Sequence, residues 1–173
     1  QYEDHGLKRL DDTKANLYPI FTSPADDPER KKFMEHLNWV HSHYTISNDD
    51  NLYTLLRMFL HPIEWINKWG RRKLSDCEVK ALVSQVREIG LQMNIRDIPN
   101  SYEDRQHWQK NYRQNHEVFH QDNADVTQGM MHGLELHFPR LLRPIVKPAV
   151  TVLLDNHTLT DALGLRRPTG IQR

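Results

Sequence analysis

The 173-residue sequence carries 11 histidines and one cysteine, so any metal or acid–base chemistry it performs is built around imidazole. The sharpest spacing is His116-Glu117-Val118-Phe119-His120, which satisfies the H-E-x-x-H pattern. On an α-helix residues four apart share a face, so two such imidazoles can hold a zinc ion with the glutamate as base. Glu135 follows as a candidate third ligand. The setting speaks against zinc, because Arg113-Gln114-Asn115 and Gln121-Asp122-Asn123 flank the motif where a peptidase helix would be apolar. The simpler reading is a solvated helix with two surface histidines. A second group comprises His36, His41 and His43, with Trp39 and Tyr44 interleaved. His41 falls one turn after Leu37 and one turn before Tyr44, on the apolar face of its segment, while His36 and His43 rotate away from that face. An imidazole so placed is either a core residue satisfied by the backbone or an axial haem ligand, which needs a neutral ring entering an apolar pocket. His61, before Pro62, belongs to a helix end, and His5, His107, His132, His137 and His157 show no paired spacing. There is no G-x-S-x-G and no Gly-rich phosphate loop, and Cys77 sits in a capping box rather than beside a base.

The elements that must carry these residues are helical throughout. Asp27-Pro28 reads as an N-cap and first-turn proline before Phe33, Leu37, Val40, His41 and Tyr44. Asn48 and Asp49 open a second helix with Leu52, Leu55, Leu56, Phe59 and Leu60 inward, which Pro62 kinks or ends. Ser75-Asp76-Cys77-Glu78 is a capping box for a third, with Leu74 and Val79 as its staple and Val79, Leu82, Val83, Val86 and Ile89 as its apolar face. Asn100-Ser101 starts a polar helix through Tyr102, Trp108, Tyr112 and Phe119, and Asn123 and Asp125 cap another through Val126, Met130, Leu134 and Phe138. Pro139, Pro144 and Pro148 predict broken turns, and a short helix over 158–163 stops at Gly164, with 166–173 as a loose tail. The expected fold is a single all-α domain over 1–173.

Composition narrows the function classes. Lys plus Arg and Asp plus Glu are equal at 23 each, so no whole-chain electrostatic footprint exists for nucleic acid or an acidic membrane. The lone cysteine excludes an internal disulfide and multi-cysteine zinc or iron–sulfur sites. Mean hydropathy is −0.77, yet four Trp, six Tyr and five Phe argue against disorder. The most apolar stretch, 145–154, is broken by Lys147 and Pro148 and is too short to span a bilayer, so the chain as given reads as soluble.

The segment Leu37-Asn38-Trp39-Val40-His41-Ser42-His43-Tyr44, with Ile46-Ser47-Asn48-Asp49-Asp50 and Leu52-Tyr53-Thr54-Leu55 behind it, resembles the mpaB-type and rubber-oxygenase catalytic domain. That family includes a fungal endoplasmic-reticulum oxygenase of mycophenolic acid biosynthesis, an enzyme of secondary metabolism, and the bacterial latex-clearing proteins. The likeness to the fungal branch continues through Pro62-Ile63-Glu64-Trp65-Ile66, Arg72-Lys73-Leu74-Ser75, Ile89-Gly90 and Met93-Asn94-Ile95. Pro139-Arg140-Leu141-Leu142-Arg143-Pro144 and Ala162-Leu163-Gly164 extend it as short islands to about Pro168.

The resemblance implies a helical domain with a globin-like core that holds haem b and uses dioxygen to oxidise or cleave an isoprenoid or terpenoid chain. The family's proximal iron ligand falls on His41. Asn38 occupies a position that is Arg in the bacterial members, and His43 one that is Arg in many fungal members, a partner for a haem propionate. The family's distal Arg and Thr, four residues apart, fall on Arg9 and Thr13, a helical pair able to present two donors to oxygen. Asp12 stands where latex-clearing relatives have Lys. Phe33, Leu55, Leu56 and Phe59 are expected to wall the apolar pocket. The family's first helices and any anchor to the endoplasmic-reticulum membrane are expected before Gln1, so membrane contact is expected only through that missing sequence. Two rival readings stay open: a zinc peptidase through His116, Glu117 and His120, and a non-catalytic helical domain that binds haem or a partner.

Overall fold

A computed structural model describes residues 2–154 and 156–165; within the first helix the side chains of 2–7, 9, 10, 13 and 16 lie outside the described set, as does the expected tail over 166–173. The described residues form eight helices and no strand, the all-α class the periodicity predicts. These are α1 (Tyr2–Thr22), α2 (Pro28–Ser42), α3 (Asn48–Trp69), α4 (Asp76–Gln92), α5 (Tyr102–His116), α6 (Gln121–Leu136), α7 (Arg143–Leu154) and α8 (His157–Ala162). They gather into two compact units, one of 1–17 with 115–173 and one of 18–114.

In the 18–114 unit, capping chemistry sets the helix starts. The Asp27 carboxylate accepts from the backbone N–H groups of Glu29 and Arg30, with Pro28 in the first turn, where a missing N–H costs nothing. Ser47, one residue before the expected start, caps α3 by accepting from the Asp50 N–H. Ser75 and Glu78 form the full capping box of α4, and Arg72 clamps both Glu78 oxygens at 2.7 Å. That guanidinium, with the Ser75 donors, holds the Glu78 carboxyl down at about 2. Pro62 does not end α3, which runs on to Trp69. The core of this unit is the inner face of α3, Leu52, Leu55, Leu56, Phe59, Leu60 and Ile63, packed on α4 through Val86 and Ile89. Met34 on α2 is buried as well. Gly90 lies at the tightest point: a Cβ there would sit 2.4 Å from Ile98 Cδ1 and 2.8 Å from Leu55 Cδ2.

The end of α4 is a Schellman turn. The Ile95 N–H donates to the Gly90 carbonyl at 2.9 Å, the Asn94 N–H donates to Leu91 at 3.1 Å, and Asn94 takes the left-handed φ of 60°. Asp97 is left-handed too, at 57°. This turn buries Ile95 and Ile98 and leaves Arg96 and Asp97 outside.

In the other unit, α6 packs on α7 and α7 on α8. The broken turns expected around Pro144 and Pro148 are instead one helix, α7, because Pro144 falls in its first turn and Pro148 only one turn later. A second Schellman turn ends α8, with Leu165 donating to Thr160 at 2.9 Å and Gly164 at φ 64°. Asp11 approaches the His137 ring at 3.7 Å.

Candidate functional site

His41 sits at the last turn of α2, half-buried, and its position is set by contacts far away in sequence. The Asn38 amide, one turn earlier, donates to the Gln92 carbonyl at 2.8 Å, which ties α2 to the end of α4. Arg30, buried at the other end of α2, reaches the Gln92 side chain at 3.1 Å and the Ser23 carbonyl at 2.8 Å. Gln92 in turn donates to the Ala25 carbonyl at 3.3 Å. Gln92 is therefore the hub on which both ends of α2 are fixed, and no periodicity in the sequence marks it out.

The ring of His41 lines a cavity of about 300 Å³ together with Asn38, Ser42, Tyr44, Ile46, Asn48, Asn51, Met93, Asn94, Ile95 and Arg96. Burial lowers its pKa, which keeps the ring neutral and a nitrogen lone pair available. No hydrogen-bond partner meets the His41 ring among the described residues. Across the cavity the Asn48 amide grips the Arg96 backbone at both ends, accepting from its N–H at 2.8 Å and donating to its carbonyl at 3.2 Å. Tyr44, expected on the apolar face, lies just past the end of α2 and is exposed.

The other expected site residues fall as follows. His43 caps α2, exposed, with Nδ1 bonded to the Trp39 carbonyl at 2.8 Å and its ring edge-on to Trp39 at 4.5 Å. A ring whose Nδ1 donates to that carbonyl can meet a carboxylate through Nε2 only when doubly protonated. Arg9 and Thr13 lie on α1, in the other unit from His41, and their side chains fall outside the described residues. Leu55, Leu56 and Phe59, offered by the sequence as pocket walls with Phe33, are instead packed into the core, Leu56 with 0% of its surface exposed. The cavity beside His41 is lined by other residues, most of them polar.

The H-E-x-x-H residues do not share a helical face. His116 is the last residue of α5, Glu117 to Phe119 form a break, and His120 is the N-cap of α6, accepting from the Asp122 N–H at 3.3 Å. The segment has no apolar stripe to hold it in a helix against a neighbour. Among the described residues no group of three or more His, Cys, Asp and Glu side chains is placed to hold a metal ion. No helix among them is long and apolar enough to cross a membrane.

No family model, curated protein or solved structure matches the chain.

The lining beside His41 meets only part of what a haem needs: His41 can supply an axial nitrogen, but the expected apolar walls Leu55, Leu56 and Phe59 lie in the core and most of the lining is polar. A neutral, unbonded imidazole is the axial ligand such a group needs, and the edge of Asn48, Asn51 and Arg96 suits its acidic substituents. Besides Gln92, sequence reasoning missed Asn48 and Arg96 as residues of this site. Their pairing spans 48 positions, and no local pattern announces it.

Proposed function

We propose that this chain is a haem b-dependent oxygenase domain that uses dioxygen to oxidise or cleave an isoprenoid or terpenoid chain. The observation that supports this best is His41, half-buried at a cavity and without a hydrogen-bond partner on its ring among the described residues, with burial lowering its pKa. In this reading His41 holds the iron, and the haem supplies the activation of dioxygen when bound. Asn38 positions the ligand helix through Gln92 rather than touching the cofactor itself. Arg96, its backbone gripped by Asn48, offers a guanidinium to a porphyrin carboxylate, and His43 offers a second cation once its ring is protonated. By the family resemblance alone, Arg9 and Thr13 would be the hydrogen-bond donors toward dioxygen. The globin-like core and the association with the endoplasmic-reticulum membrane implied by the family resemblance belong to the same proposal.

The test is the absorption spectrum of the chain expressed with haem supplementation, beside its His41→Ala variant. A near-stoichiometric Soret band that the variant loses supports the reading, and terpenoid substrates are then screened under oxygen. A helical parent chain without a Soret band sinks it.

A further inference from the structure

Three arginines surround the turn between α4 and α5 with no carboxylate paired to any of them among the described residues. Arg87 donates to the Asn100 side chain at 2.8 Å, using one of its nitrogens. Arg96 is held by its backbone alone, its side chain exposed. Arg105 is only 1% exposed, yet it meets two backbone carbonyls, Pro99 at 2.8 Å and Val83 at 2.7 Å, and its third nitrogen has no partner. One turn on, the buried Gln109 also leaves its amide nitrogen unpaired. An unpaired donor on a buried cation is costly, but Arg105 and Gln109 do not line the groove beside this turn, so the charge open to a ligand there is that of the exposed Arg87 and Arg96. The proton affinity of Arg105 is accordingly lowered, first by burial and then by Arg87.

Beside Arg87 and Arg96 lies a second groove, of about 460 Å³, within the size range of small-molecule sites. Its floor is apolar, Leu91, Ile95 and Ile98, and its rim carries Arg87, Arg96, Asn100 and one acid, Asp97. The backbone of the rim is fixed before any ligand arrives, since the Schellman turn sets Ile95 and the Asn48 amide sets the Arg96 main chain.

We infer that this groove binds an amphipathic carboxylate, with the guanidinium groups of Arg87 and Arg96 on its head and Leu91, Ile95 and Ile98 along its chain. A planar carboxylate matches the guanidinium fork, and one apolar floor beside two cations matches a single-headed acid. Asp97, on the same rim, disfavours a multiply charged head. The site is separate from the His41 ring, although Ile95 and Arg96 border both cavities.

The experiment titrates the full chain, without added haem, with octanoate, octanol and inorganic phosphate, following backbone amide shifts by NMR. Octanoate is expected to shift Leu91 and the amides of 95–98 saturably, with octanol and phosphate each at least about tenfold weaker. Arg87→Gln and Arg96→Gln are each expected to weaken octanoate by about tenfold, and His41→Ala to leave it unchanged. Should Arg87→Gln lose helix by circular dichroism, Arg87→Lys, which keeps the charge but not the fork, is expected to bind octanoate more weakly than the parent and Arg96→Gln decides the case. Octanol binding as well as octanoate, phosphate binding as well as octanoate, shifts elsewhere in the chain, or Arg96→Gln binding like the parent would each overturn the inference. The readout needs no haem, and Arg87→Gln, at a residue with no part in the haem reading, separates the two results, since Arg96 belongs to both.

Discussion

Replacing Gly90 by alanine sets two effects of opposite sign against each other. Gly90 is in the last turn of α4, where alanine is favoured over glycine by about 1 kcal/mol in backbone terms. Against that, the new Cβ would stand 2.4 Å from Ile98 Cδ1 and 2.8 Å from Leu55 Cδ2, whereas carbons rest at about 3.5–4 Å. Neither neighbour can swing into solvent, since Ile98 is 7% and Leu55 4% exposed. Overpacking costs about 1–3 kcal/mol, and contact on two sides puts this case near the top of that range. The net expectation is destabilisation by about 1–2 kcal/mol, read as a lower urea midpoint with an unchanged slope. A second substitution isolates the cause. Ile98→Val removes the methyl that lies closest and costs about 0.5–1.5 kcal/mol alone, so the double variant should be better than the sum of the singles by about 1 kcal/mol. Stability equal to or above the parent in Gly90→Ala, or strict additivity in the double variant, refutes the packing argument.

Two further outcomes are expected. Burial lowers the pKa of both His41 and His61 from the ordinary 6.5, with Arg57 adding to the effect at His61, so below about 6.5 the unfolded chain binds protons that the folded chain refuses. Stability is therefore full above that pH and declines as pH falls through it. The urea midpoint should drop between about pH 7.5 and about pH 5.5, less so in a His41→Ala and His61→Gln double variant; a flat or rising midpoint would contradict the burial of these rings. Gly164→Ala should destabilise by about 1–2 kcal/mol from its left-handed φ of 64° alone, with added strain from a Cβ 2.7 Å from Ala124 Cβ. Faster hydrogen exchange in α8 would show it, and unchanged protection would tell against the turn.

The features legible in the sequence were those set by neighbours in the chain. The Asp27-Pro28 start and the Ser75–Glu78 box each involve groups within three residues, and both stand where the spacing puts them. The 3.6-residue period likewise placed His41 on a partly buried side of α2. Pro62 misled because a local rule was overridden by packing. Leu60 and Ile63 flank it in the core, while Pro62 and Met58, whose carbonyl its ring displaces, are on the exposed side where water can take the freed oxygen. The opposite failure occurs at His116 to His120, where a helical spacing in letters lacks the buried stripe that would hold a helix, and the chain breaks there instead. The turn after Gln92 lies between these cases. Its left-handed position is filled by Asn94 where glycine is usual, so the local signal was present but weak. What that turn builds was not local at all: Asn48 on Arg96, Asn38 on the Gln92 carbonyl and Arg30 on the Gln92 side chain join residues 48 to 62 apart. A single sequence can therefore nominate His41, but the polar frame that fixes its helix and shapes its cavity becomes readable only once α2, α3 and the end of α4 are placed together.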